Sequence, residues 1–282
     1  MGISMTNSSA PRKHSRPWAR PSTIIAALIL VLTAPATSFA CELRMGWEPW
    51  KPYQYRDDQG DLRGLDIDLI RAIANRMDCE LALVKQPWMR HLRELREGRV
   101  DLAAGADYTP ERADFAYFSR PYRTETVRLF MRQGEPDEYE LSALKDVIER
   151  DLKIGITQGY DYGKQFEALR QHPHAHNHIE TTRSDLLNYR KLARKRIDAI
   201  LADPLVLRTR VKGSAFEDAF EAHPLRVKQA PIHVMFSRAS TSKALVQRFN
   251  NALEAITGTG MYDRIFNRYN SVRQSKPAIF SE

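Results

Sequence analysis

Two segments of this 282-residue chain repeat one local pattern: CELRMGW from Cys41 and CELALVK from Cys79. Each reads as a strand, and between them lies a helical segment, LDIDLIRAIANRM, with Leu65, Leu69, Ile73 and Met77 on one stripe. Strand, helix, strand in that order is a βαβ unit, whose strands run parallel. Neighbouring strands lie about 4.8 Å apart, and disulfides join Cα atoms about 5.5 Å apart. Two cysteines at the same end of adjacent strands meet both conditions. A Cys41–Cys79 disulfide is therefore expected, against the alternative of two buried thiols, and it suits an oxidising compartment.

The alternation continues beyond this unit. A short helix, RHLRELREG, leads to the buried strand VDLAAGA, and VRLFMRQG (127–134) reads as another strand. Around GEPDEYELSALKDV the composition turns polar and acidic, and a second series begins. Its strands are LKIGITQG and IDAILADP; its helices are DYGKQFEALRQ and SDLLNYRKLARKR. The strand LRVKQAPIHVMFSR and two closing helices follow. Such alternation argues for α/β architecture with largely parallel sheets.

The first forty residues read as an export signal. Arg12, Lys13, Arg16 and Arg20 precede the apolar run TIIAALILVLTA, and small residues end it at Ala40. The run is short for a membrane span, so cleavage near Ala40 and a periplasmic location are expected. Cys41 is not expected to carry lipid, because Ser-Phe-Ala before it lacks the upstream Leu of a lipoprotein signal. Removing the four basic residues from 43 Lys and Arg leaves 39 against 35 Asp and Glu, a net +4 spread along the chain. That balance gives no case for nucleic acid as a partner. The remaining 242 residues suit two modest lobes.

Catalytic signatures are missing: the chain has no phosphate-binding loop, no dinucleotide-binding glycine pattern, no H-E-x-x-H and no G-x-S-x-G. No cofactor is expected. HPHAHNH places His172, His174, His176 and His178 at alternate positions, which matches no closed metal site; it reads as a loop between a helix and a strand.

More informative is PWMRHLRELREGRVDLAAGADYTPER. Gly98 ends the helix as a C-cap, and the following strand delivers Asp107, Thr109 and Arg112 at its carboxyl end, where open α/β sheets bind ligands. An arginine there offers a fork of donors matched to a carboxylate. The local alternative is a capped helix start, with Thr109 as N-cap and Pro110 at the first position.

LRMGWEPWKPYQYRD, GLDIDLIRAIANRM, LREGRVDLAAGADYTPERADFAYFSRPY, LKIGITQGYDYG, IDAILADP and HVMFS, in that order, resemble the family 3 extracellular solute-binding proteins, which include amino-acid-binding components of ABC transporters. The resemblance implies a type II periplasmic-binding-protein fold: two lobes, each a mainly parallel sheet flanked by helices, joined by two hinge strands near 129–133 and 232–236. Lobe 1 would hold 41–131 plus 235–282, and lobe 2 would hold 132–234. It also implies a non-enzymatic monomer that closes on a small polar or charged, amino-acid-like molecule and delivers it to an inner-membrane permease of the ABC type.

Carried over residue by residue, Arg112 would clamp a ligand carboxylate and Asp203 would pair with an ammonium. Trp50 and Trp88 would stack on the ligand, and Tyr160 stands in the second-lobe glycine turn. Glu48 adds a carboxylate, and Arg90 a second cation. Asp107 departs from the pattern, since amino-acid receptors carry Ser or Thr there. A carboxylate at that spot would repel another by about 1 kcal/mol or more, which argues for a cationic or polar ligand, or one with its anion placed elsewhere. Alternatives are a periplasmic enzyme on the same scaffold, as in the cyclohexadienyl dehydratases, with Asp107, Glu48 and Asp203 as acid or base, and a sensory receptor without a transport role.

Overall fold

The computed structural model describes residues 41–269; the expected signal segment (1–40) and residues 270–282 lie outside them. The first series runs β1 (Glu42–Trp47), β2 (Tyr55–Arg56), β3 (Leu62–Arg63), α1 (Leu65–Arg76), β4 (Glu80–Lys85), α2 (Trp88–Arg96), β5 (Leu102–Ala106), α3 (Pro110–Ala113), β6 (Ala116–Phe118) and β7 (Arg123–Arg132). The second runs α4 (Asp146–Glu149), β8 (Ile154–Thr157), α5 (Lys164–Arg170), α6 (Ala175–His178), β9 (Ile179–Thr182), α7 (Asp185–Ala193), β10 (Ala199–Ala202) and α8 (Pro204–Val211). Then β11 (Phe220–Ser237) returns, and α9 (Lys243–Gly258) and α10 (Met261–Tyr269) follow.

The strands lie in the order β4-β1-β5-β11-β7-β10-β8-β9, with β6 also on β11. β1 is parallel to β4 and β5, and β8 to β9 and β10. Between these parallel groups β7 and β11 pair antiparallel, from Phe220 opposite Arg132 to Ile232 opposite Arg123. Two parallel βα halves bridged by two long strands form the expected two-lobed fold. Each half has its own apolar core. Met45, Ile67, Leu69, Ile73, Val234 and Phe249 belong to one, and Leu129, Leu144, Ile154 and Leu201 to the other.

The disulfide forms as expected: Cys41 and Cys79 are bonded, with Cα atoms 4.6 Å apart. It stands one residue before the register that pairs Glu42 with Glu80. The stripe Leu65, Leu69, Ile73 and Met77 is buried. Leu95 of α2 is buried too, and Gly98 adopts φ +73° just past that helix, as a C-terminal glycine should. In the histidine-rich stretch, 175–178 forms a helical turn instead of a loop. His178 is buried, with Nδ1 3.1 Å from the Leu152 carbonyl oxygen, so the four imidazoles do not converge.

Three charged groups are buried together where β7 begins. Arg123, at the start of β7, is 1% exposed, and its Nε donates to Asp66 Oδ1 at 3.0 Å while Nη1 reaches Glu125 at 3.3 Å. Its guanidinium also lies 3.8 Å from the centre of the Tyr53 ring. Removing one partner of a buried ion pair leaves an uncompensated charge, which costs about 3–5 kcal/mol. Arg123→Met should therefore lower stability to urea by that order, and Arg123→Met/Asp66→Leu should recover part of the loss. Equal stability of Arg123→Met and the parent would refute the assignment.

Candidate functional site

The carboxyl ends of β1, β5, β8 and β10 open on a cleft that encloses about 760 Å³ of space between atoms, its open mouth included. Glu48 and Trp50 follow β1, Asp107 follows β5, Tyr160 and Asp161 follow β8, and Asp203 follows β10. All line the cleft, together with Trp88 at the start of α2 and Arg112 of α3. Arg90 does not. Two residues along a helix is about 200° around it, so Arg90 turns away from Trp88 to the exposed face, 3.6 Å from Glu94.

Helix capping aims two of these side chains. The Thr109 hydroxyl accepts from the Arg112 amide at 3.3 Å, and Pro110 takes the first turn of α3. Arg112 is then 8% exposed, its Nη1 donating to the Asp107 carbonyl (3.0 Å) and its Nη2 to the Gly159 carbonyl (3.1 Å). Burial lowers its pKa against the pull of nearby acids, Asp107 foremost. Among the described residues no carboxylate forms an ion pair with it. Asp203 likewise caps α8, accepting from the Leu205 and Val206 amides at 2.6 and 3.0 Å, and its other oxygen accepts from the Tyr53 hydroxyl at 3.0 Å. In both places the cap and the cleft position are one arrangement, not alternatives.

Asp107 is not held by the Arg112 side chain. Its Oδ1 lies 2.5 Å from Nζ of Lys228, a β11 residue that the sequence reading did not single out. The same ammonium is 2.7 Å from Asp161 Oδ2 and donates to the Asp161 carbonyl at 2.8 Å. The repulsion expected from Asp107 therefore meets a neutralising cation.

The other charged groups of the lining are acidic. Glu48 accepts from the Trp88 amide at 3.1 Å, and burial raises its pKa to about 7. Asp185, at the start of α7, accepts from the Thr157 hydroxyl at 2.5 Å; burial pushes it up as well. Burial also raises Asp203, and it raises Glu125 despite Arg123 beside it. Among the described residues, Glu48, Asp185 and Asp203 form no direct ion pair; Arg210 acts on the first two and Arg123 on the third only from a distance. Asp185 and Glu125 were missed in the sequence, Asp185 because Ser-Asp before an apolar run reads simply as a helix start.

Aromatic groups close the cleft. Trp50 stands edge-on to Tyr160 with centroids 6.2 Å apart, and the Trp88 ring lies 5.6 Å from the Arg112 guanidinium. Trp88 Nε1 donates to the Gly159 carbonyl at 3.1 Å, so that one oxygen receives both Trp88 and Arg112. Gly159 adopts φ +82°, a backbone conformation that strains any residue with a Cβ, and an added Cβ would also meet the Met89 thioether. Gly159→Ala should therefore displace the carbonyl that Trp88 and Arg112 share and lower the melting temperature; an unchanged melting temperature would count against this role.

The raised Glu48 sets a pH dependence. An unfolded glutamate ionises near 4.5, whereas the folded one holds its proton to about 7. Its contribution to stability is thus complete below about pH 4.5 and is lost as pH rises through 7. Glu48→Gln should flatten the decline in melting temperature across that window; an identical decline in both proteins would contradict it.

The profile of the bacterial extracellular solute-binding proteins, family 3, matches residues 43–272. The ABC transporter arginine-binding protein 1 of Escherichia coli K12 is 24% identical over 253 residues, covering 87% of this chain and 97% of that one. Cyclohexadienyl dehydratase of Pseudomonas aeruginosa is 34% identical over a shorter stretch of 74 residues, 26% of this chain and 28% of the enzyme. Among solved structures, an ancestral arginine-binding protein bound to arginine superposes with a TM-score of 0.70 at 23% identity, covering 82% of this chain and 99% of that one. With a match across nearly all the described residues and the same two-lobed fold around a polar cleft, the chain belongs to the bacterial extracellular solute-binding proteins, family 3.

Proposed function

We propose that this protein is a periplasmic receptor that captures a small, cationic, amino-acid-like solute between its lobes and presents it to an ABC-type permease. In this reading the lobes would be residues 41–131 with 235–282, and 132–234, of which 270–282 lie outside the described residues. The observation that carries the reading is the charge balance of the cleft. Arg112 is a buried cation in no direct ion pair with a carboxylate, while Glu48, Asp185 and Asp203 are acids in no direct ion pair with a cation. Such a lining fits a ligand that brings one anion to Arg112 and excess positive charge to the acids. Trp50, Trp88 and Tyr160 offer ring faces to its apolar stem and cationic groups. Arginine binding by relatives supports the same class.

Capture works by population shift. The solute binds the closed arrangement better than the open one and holds it closed, with no bond made or broken. A dehydratase-like enzyme is the second reading, favoured by one feature: Glu48, with its pKa near 7, could carry a proton into the cleft at neutral pH.

Thermal shift against arginine, lysine, histidine, polyamines and organic acids should single out a cationic amino acid. The hit should be recovered intact by mass spectrometry. Arg112→Met should abolish the shift while the unliganded variant still melts cooperatively. Stabilisation by organic acids alone would refute the cationic class, and chemical conversion of the hit would favour the enzyme. Because a cation binds the ionised form of Glu48, affinity should also rise as pH climbs through about 7.

A further inference from the structure

Lys228 stands where no ligand contact is required of it, yet it is almost fully buried and carries three polar contacts. These are the carboxylate of Asp107, the carboxylate of Asp161 and the carbonyl of Asp161. Its stem packs beside Gly163, where an added Cβ would lie 3.1 Å from Lys228 Cγ, so the side chain is fixed in its path. Asp107 in turn is joined to Arg112 through its own backbone, whose carbonyl receives Nη1 at 3.0 Å. An unpaired Asp107 carboxylate would therefore stand within a residue's reach of any anion bound at Arg112.

We infer that Lys228 determines specificity: by neutralising Asp107, it allows Arg112 to accept a ligand carboxylate. Lys228 is a positioning residue; it acts on the ligand through Asp107 and the local charge. The inference rests on the receptor reading above. Lys228 balances two carboxylates, Asp107 and Asp161, so removing it unpairs both, and the subsite then repels carboxylates and favours amines. Since Lys228 also joins Asp107 to Asp161 across the cleft, a purely mechanical clasp is the competing role, and it would treat all ligands alike.

The test compares amino acids with the amines that lack their carboxylate: arginine with agmatine, lysine with cadaverine, and histidine with histamine. Calorimetry on the purified protein gives the affinity ratio for the pair that binds. Lys228→Met should reduce the preference for the amino acid at least about tenfold, the scale of one like charge at close range. Lys228→Arg should keep the preference, and Asp107→Ser/Asp161→Asn/Lys228→Met, which removes the cation together with both of its acids, should restore it. Equal weakening of amino acid and amine in Lys228→Met, or no recovery in the triple variant, would overturn the inference in favour of the clasp. Should the parent protein bind none of the six compounds, the cationic-solute reading falls, and the role of Lys228 with it.

Discussion

The buried contact between Arg123 and Asp66 is the joint on which the cleft is assembled. Asp66 belongs to the first turn of α1, Arg123 opens β7, and the guanidinium lies against Tyr53. Tyr53 in turn donates to Asp203 at the head of α8. Helix, bridging strand, aromatic loop and second-half helix are thus fixed by one run of contacts beneath the ligand space. A group this deep is costly to desolvate. Its use here is geometric: it brings parts of the chain 57 and 150 residues apart into one floor.

Above that floor, charges are divided by task. Arg123 is occupied by Asp66 and Glu125, and Lys228 by Asp107 and Asp161. What remains uncommitted faces the cleft: one guanidinium and three carboxyls. Neutral donors, namely amides and the hydroxyls of Tyr53 and Thr157, keep those carboxyls hydrogen-bonded without satisfying their charge. A site of this kind is structured before any ligand arrives, which reduces the ordering cost of binding.

Much of this could be read from the sequence, for physical reasons that differ by element. The βαβ unit and its disulfide were legible because strand spacing and cysteine geometry impose the same limit. Arg112 and Asp203 were legible through the resemblance, and the local alternative of a helix cap proves to be the same arrangement, since α3 and α8 both start just past the carboxyl end of a strand that opens on the cleft. Arg90 lies off the cleft because two residues past Trp88 is about 200° around the helix. Lys228 could not be found, since a lysine in a long strand shows its partner only when the register of β11 against β7 is known, and Asp107 lies 121 positions earlier. The pair had looked like a conflict because only half of it was visible.

The disulfide has a consequence beyond holding two strands. Cys41 and Cys79 are 38 residues apart, and the ring they close contains Glu48, Trp50, Tyr53 and Asp66. Closing a loop of that length removes chain entropy worth about 4 kcal/mol from the unfolded ensemble. One face of the cleft is thus enclosed in a covalent circuit whose closure needs an oxidant. Competence to bind is then a record of the chain's surroundings as well as of its sequence: where thiols stay reduced, the aromatic wall and its acidic floor must form without their tether.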